Sequence, residues 1–596
     1  VAGVNAGNSI TSGGNYNTTV GDEAGTALTT GGQNVAVGMN AMVGQTTASY
    51  NVAVGQAALS ANTTGANTTA VGWGALTANT TAADNTALGT QALTSNTTGA
   101  SNTGIGRSAL LVNTTGAYNT ANGFDALKSN TTGTENVAVG QAALNTNTTA
   151  SNNTAVGAAA LYYNTTGANN VAVGKSALVD NTTGTVNVAI GYLALNSNTT
   201  AAYNVGIGYE ALKFNTTGTN NVGIGKGALE KNTTASNNTA VGWQALLANT
   251  TGTLNVAVGT NALDANQTGS ANTAVGYNAG SAFTSDGITA FGKDALELCT
   301  TGLNTAVGAN ALSSVTSNAG NTAVGQDALT ANTAANNTAV GASALLANTT
   351  GANNTATGYQ SLQGNTTGLS NTAHGYQAMY SNTTGIRNTA LGEQAMTVNT
   401  TGQQLTAVGK NALLQNTTGS YSTAVGYNAS LANTTGERNT SIGWSAGDST
   451  TTGQYNINLG FEARSTSATV YGQCTLGNAQ VSNLRCNDTS ISSLSDSRDK
   501  TDVIDSPYGL DFINTVRPVQ FLWDTRDGNV KDGTTRIGFL AQELLAATNG
   551  NNAVLDLVLD DNPDKLEAKY GNLLPIMVQA IQELSAKNDA LETQNA

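Results

Sequence analysis

The sequence predicts a mainly β protein: a long parallel β-solenoid, followed by a small α+β region that ends in a coiled-coil helix. Three observations carry this. A unit of 17 residues recurs along most of the chain. Each unit holds one short alternating stretch and one turn signal. The composition changes abruptly near residue 495, where an ordinary small domain begins.

The period is read from glycine. The last residue of an A-V-G-like triplet falls at Gly21, Gly38, Gly55, Gly72 and onward to Gly460, in 26 steps. All steps are 17 residues except three of 16 between Gly276 and Gly341. The consensus is N-[T/V]-A-[V/I]-G-x-x-A-L-x-x-N-T-T-G-x-x. Such a unit is too short for a helix pair and carries no 3.6-residue stripe.

Within one unit, Asn51-Val52-Ala53-Val54-Gly55 alternates as a strand does, with Val52 and Val54 on one face. Ala58-Leu59 reads as a second short extended piece. Asn62-Thr63-Thr64-Gly65 is a turn, with Asn and Gly both tolerant of positive φ. Equal units of this kind stack as solenoid coils, each hydrogen-bonded to the next. At ~4.8 Å per coil, the repeat predicts a shaft about 125 Å long. The thin interior is expected to hold Ala, Val and one Leu. Asn stacked on Asn is expected to form amide ladders. Pro, which would delete a ladder donor in each coil it entered, is absent from the repeat. A coil this thin is marginal alone, and three chains packed together would bury the remaining Val/Leu face.

Composition sets limits on function. The 596 residues suggest several domains by length, yet only 9% are charged and 5% aromatic, too few for several ordinary cores. The net charge of −14 invites neither nucleic acid nor anionic lipid. No apolar run approaches the ~20 residues of a membrane helix, so no membrane insertion is expected. No signal peptide is present; the sequence begins at Val1 rather than Met, and an N-terminal docking or anchoring module is expected upstream. Cys299, Cys474 and Cys486 are too few for a disulfide scaffold. The single histidine, His374, argues against a His-based metal site or triad, and no cofactor is expected. It takes the place of a Val and reads as a tolerated core or interface residue.

Two irregular features stand out of the repeat. Where the step slips to 16, Cys299 and Val315 replace the turn Asn, and Asn332 begins N-T-A rather than N-T-T. This reads as tolerated drift, or as a bend or specialised surface. The N-T-T corners also spell glycosylation sequons at Asn62, Asn79, Asn96, Asn113 and Asn130, although the same residues are simply good turn formers.

The repeat resembles the head repeats of trimeric autotransporter adhesins of the YadA type, and more closely the NTAVGxxALxxNTTG arrays of phage tail fibres. The resemblance covers residues 1–460 and implies a left-handed parallel β-roll and a homotrimer. The longer period departs from the adhesin pattern at the N-T-T-G corner.

Residues 495–596 differ in kind. They hold all four prolines and 26 of the 56 charged residues. A neck at 461–494 precedes them. Ser495-Asp496-Ser497-Arg498-Asp499-Lys500 offers a hydroxyl and an amine five residues apart. A Lys can serve as base to a Ser nucleophile when burial lowers its pKa. On spacing alone, a Ser-Asp cap with a solvated Lys is the plainer reading. However, the segment resembles the S-D-x-R-x-K signature of the intramolecular chaperone of phage tail spikes and fibres, the S74 peptidase family. Arg517-Pro518, Gly538-Phe539-Leu540-Ala541-Gln542-Glu543 and Leu573-Leu574-Pro575 match further motifs in order. The resemblance implies that Ser495 attacks the carbonyl of Leu494, that Lys500 takes its proton, and that the Leu494–Ser495 bond is cut once.

Leu574, Met577, Ile581, Leu584, Asn588 and Leu591 follow a 3–4 spacing, so a coiled coil is expected over 573–596. The expected function is a homotrimeric phage tail fibre in the virion, attaching to a host glycan or protein receptor and matured by its own chaperone. The alternative is a cell-surface adhesin or extracellular filament using the same chaperone. An enzymatic shaft is disfavoured, since no acidic pair stands out of the repeat.

Overall fold

The computed structural model describes residues 2–481, 485, 495–523, 533–560, 563–564 and 566–595. The chain divides into two units, Val1–Thr349 and Thr350–Ala596.

The first unit is a parallel β-solenoid. Twenty strands of three residues run from β1 (Thr18–Val20) to β20 (Thr338–Val340). Each pairs in parallel with the next, one repeat further on. Val171, Ala172 and Val173 lie opposite Val188, Ala189 and Ile190, for example. The 16-residue coils keep this pairing, with Thr273 opposite Thr289 and Thr289 opposite Thr305.

The orientation of the strand corrects one expectation. Its middle residue points inward and is fully buried, as Ala53 is, while Val52 and Val54 are only half-buried. The interior is thus made of Ala, one Leu and Asn, and the valines face outward. The reason is space. A Cβ built on Gly104, at a middle position, would lie only 3.3 Å from the Leu93 side chain. A methyl fits there and an isopropyl does not.

Ala58-Leu59 is not extended either. Ala57 (φ 60°) and Leu59 (φ 55°) are both left-handed. Their N–H groups point opposite ways along the stack: Ala57 donates back to Met39 at 2.9 Å and Leu59 forward to Ala75 at 2.9 Å. These ladder bonds offset the backbone strain. Leu and Met, both unbranched at Cβ, tolerate this φ better than Val or Ile, and none of the β-branched residues takes the Leu59 position. Gly55 has φ 136°, and a Cβ there would sit 2.5 Å from the Gly72 carbonyl oxygen, so glycine stacks on glycine from coil to coil. Positive φ at the corner falls on Asn67 (56°) rather than on the Asn and Gly of N-T-T-G.

Two buried amide ladders close each coil. Asn62 accepts at Oδ1 from the Gly65 N–H (3.1 Å) and donates from Nδ2 to the Gly65 carbonyl (2.9 Å). Asn79 of the next coil donates to the same Oδ1 at 2.9 Å. Asn51 donates to the Gly65 carbonyl and accepts from the Thr68 N–H. Three consecutive coils between Gly276 and Gly325 interrupt the first ladder. Phe283, Cys299 and Val315 occupy the Asn62 position, all fully buried, and the Oδ1 of Asn266, one coil before Phe283, has no hydrogen-bond partner.

The second unit begins with eight more strands, β21 (Thr355–Thr357) to β28 (Cys474–Leu476). The ladder runs one coil beyond Gly460, since Ile457 lies opposite Cys474. The repeat motif has decayed there, but its 17-residue step has not. His374 is exposed on the outward strand face, between Thr357 and Leu391 on the adjacent strands.

The C-terminal region is α+β. In order come α1 (Leu510–Ile513), β29 (Val519–Leu522), β30 (Thr535–Gly538), α2 (Ala541–Ala547), α3 (Asn552–Leu555), β31 (Val558–Leu559), β32 (Glu567–Ala568) and α4 (Leu573–Asn595). The pairs β29–β30 and β31–β32 are antiparallel. A core of Leu544, Leu555, Leu557, Val558, Leu573 and Ile576 is packed by Phe512, Ile513 and Phe539. Helix α4 thus turns Leu573, Ile576 and Ala580 inward. Its heptad residues Leu574, Met577, Ile581, Leu584 and Leu591 are exposed. No helix among the described residues is long and apolar enough to cross a membrane.

Candidate functional site

The candidate site lies at the start of the C-terminal region and is built by a local turn. Asp496 caps a short 3-10 turn, Ser497–Asp499, by accepting the Arg498 N–H at 2.9 Å. The Arg498 guanidinium folds back on the same carboxylate, with Nε 3.0 Å from Oδ1. Together these bonds hold the Asp496 carboxyl below the usual carboxylate range, the guanidinium contributing first and the backbone N–H second. The turn reverses the chain over five residues, and the Lys500 ammonium donates to Ser495 Oγ at 2.5 Å. The two residues singled out by spacing are therefore brought together.

Ser495 and Lys500 are both exposed, so the burial expected of a lysine base is absent from the single chain. Leu494 and Cys486 lie outside the described residues. Asp496 takes the cap position that the Ser-Asp pair suggests, whereas Arg498 is part of the quoted signature with no role assigned from the sequence.

The other motif residues converge on a brace for this region. Arg517 pairs with Glu543, its Nε 2.9 Å from Oε2, and this partner lowers the Glu543 carboxyl below its ordinary range. Phe539 packs edge-on against Tyr570, with ring centroids 5.4 Å apart. Glu583 on α4 accepts the Leu510 N–H at 2.8 Å and so caps α1. That N–H, then Gln579, holds the Glu583 carboxyl low.

The sequon asparagines face inward. Asn62, Asn79, Asn96, Asn113 and Asn130 are fully buried, and each donates its amide nitrogen to the carbonyl of its own corner. The folded coil therefore has no room for a glycan at these positions, because attachment requires that nitrogen to face solvent. Cys299 is buried and Cys474 exposed, both as free thiols. Burial pushes the Cys299 thiol up.

The turn with its Ser–Lys contact sits at the first residue of a family match.

Residues 495–555 match Peptidase_S74, the chaperone of endosialidase.

The S74 match covers about a tenth of the chain and opens at Ser495 itself. It spans Asp496, Arg498, Lys500, Arg517 and Glu543, the residues just placed in the turn and the brace. The family name joins a peptidase and a chaperone, and the S74 segment brings self-cleaving peptidase activity and an intramolecular chaperone into consideration. No curated protein and no solved structure matches the chain.

Proposed function

We propose that the chain is a homotrimeric fibre of a phage tail, used in host attachment, whose C-terminal region aligns three chains and then cuts itself free. The β-solenoid and the S74 segment together support the fibre. The single observation that carries the cleavage is the 2.5 Å contact between Lys500 Nζ and Ser495 Oγ within the matched segment.

The reaction follows from that contact. Ser495 Oγ attacks the carbonyl carbon of Leu494 as its proton passes to a neutral Lys500 amine. The C–N bond breaks, the proton moves on to the departing Ser495 amine, and an ester links the two segments. Water then hydrolyses the ester, leaving a carboxylate on Leu494 and restoring the Ser495 hydroxyl. A lysine acts as base only when neutral, and loss of solvent favours that form. Because the pair is exposed in the single chain, chain packing around residue 495 would activate it. Cleavage would thus follow assembly.

The chaperone role rests on the exposed heptad face of α4. A seam of Leu, Met and Ile on a helix of 23 residues is what a parallel coiled coil buries. Glu583 and the core residues Leu573 and Ile576 fasten that helix to the rest of the region.

The test is expression of the full chain without added protease. Wild type is expected to yield two fragments, and Ser495→Ala and Lys500→Ala one full-length chain each that still trimerises. Cleavage that persists in Ser495→Ala would rule the mechanism out.

A further inference from the structure

The strands of the first unit present one face to solvent, and its composition is unlike the rest of the coil. From β1 to β20, every first strand position is Thr or Val. Every third position is Val, Ile or Leu, except Asn122 and Phe291. The twenty charged side chains of residues 1–349 all lie elsewhere. The stripe directly after the repeat glycine differs: it carries Arg107, Lys175, Lys226 and Lys293 together with Trp73 and Trp243.

The face is open. Leu88 is 46%, Phe291 50% and Val340 38% exposed. Two such residues project from each of twenty strands stacked in register. At roughly 50 Å² apiece, they leave on the order of 2,000 Å² uncovered, against ~800 Å² per partner in a stable interface. An uncharged β-branched surface of that extent is rare on a free protein and invites association.

We propose that this strand face is the surface through which copies of the chain pack along the first unit. The inference rests on the homotrimer proposed above and says which face is buried in it. The occupant is a second copy, because a surface that repeats every coil is matched over its whole length only by one with the same repeat. A charged receptor or a polar glycan would find neither charge nor, apart from the Thr hydroxyls and Asn122, polar groups on it. Phe291 and Asn122 then act as register marks. With the chains level, each meets its own counterpart, whereas a slip of one coil sets Phe291 against Val275 or Val307.

The test is cysteine labelling of the full chain, in a background carrying Cys474→Ser and Cys486→Ser. Val173→Cys places a thiol on the strand face, and Lys175→Cys places one two residues away on the exposed stripe. In the assembled protein, Val173→Cys is expected to react with a maleimide at least ten times more slowly than Lys175→Cys. The two rates should converge in denaturant. Thr154→Cys against Ala158→Cys repeats the comparison where the first pair fails to fold. Equal rates in a chain that sediments as a trimer would overturn the inference while sparing the trimer. A chain that sediments as a monomer would overturn both.

Discussion

The solenoid and the C-terminal region reach order by opposite means. In the solenoid, each residue's neighbour along the stack is its own counterpart 16 or 17 residues on: glycine on glycine, Asn62 under Asn79, Ala172 beside Ala189. In the C-terminal region the contacts are unlike and distant, such as Leu510 with Glu583, 73 residues apart. The difference teaches what each part can specify. A repeated contact defines a coil but not which coil, so a shift of one repeat between chains is opposed only by the few departures from the repeat, such as Phe291 and Asn122. A region of unique contacts has one arrangement, which in the proposed function α4 imposes on the other copies.

The comparison breaks most sharply at glycine. Gly174→Ala adds a Cβ 2.5 Å from the Gly191 carbonyl oxygen at φ 132°. We expect a local loss of ~3 kcal/mol or more, seen as faster hydrogen exchange in the strands on either side. Gly571→Ala meets nothing within 4 Å and should leave stability unchanged, within about 0.5 kcal/mol.

The Asn ladder comes next. Asn164→Leu removes the donor to the Asn147 Oδ1, while the Gly167 carbonyl keeps its bond from Asn153 and the Asn181 amide keeps its bond to Gly184. A loss of about 1–3 kcal/mol is expected from the one buried acceptor left unpaired, measurable by the same exchange experiment. Protection unchanged at the flanking coils would mean that the ladder is incidental.

In the C-terminal region, Asp496→Ala removes the cap and the clip on Arg498. Cleavage is expected to slow by about tenfold, because Lys500 is no longer held against Ser495. Asp496→Asn, which keeps the capping oxygen, should recover most of the rate. Equal rates in all three proteins would leave Asp496 without a positioning role.

The smallest effect is at Glu583. Its carboxyl is held below the ordinary glutamate value of 4.5, so the contact with α1 is at full strength above that pH. The contribution falls as the pH drops below 4.5 and is gone beneath the lowered folded value. Melting curves of the C-terminal region should show this acid weakening in wild type and lose that part of it in Glu583→Gln.

Much of this was legible in the sequence. The 17-residue period gave the solenoid, and Ser495 and Lys500 stood out by spacing and resemblance. Which strand face points inward was not legible, because Ala and Val alternate as two apolar residues and hydropathy offers no contrast between them. Only the space under Leu93 decides it. The left-handed turns at Ala57 and Leu59 were hidden too, since Ala and Leu carry no turn signal and the strain is offset by bonds to other coils. The last solenoid strand, Cys474–Leu476, was not legible because the period persists after the motif has gone.

The account depends on the C-terminal region supplying the alignment that a repeated solenoid, with only a few marked coils, does not secure. The direct measurement is the sedimentation of residues 1–494 expressed alone, beside the full chain with Ser495→Ala. The account predicts one trimeric species from the full chain, and aggregates or a spread of masses from residues 1–494. A single soluble trimer formed by residues 1–494 alone would contradict it.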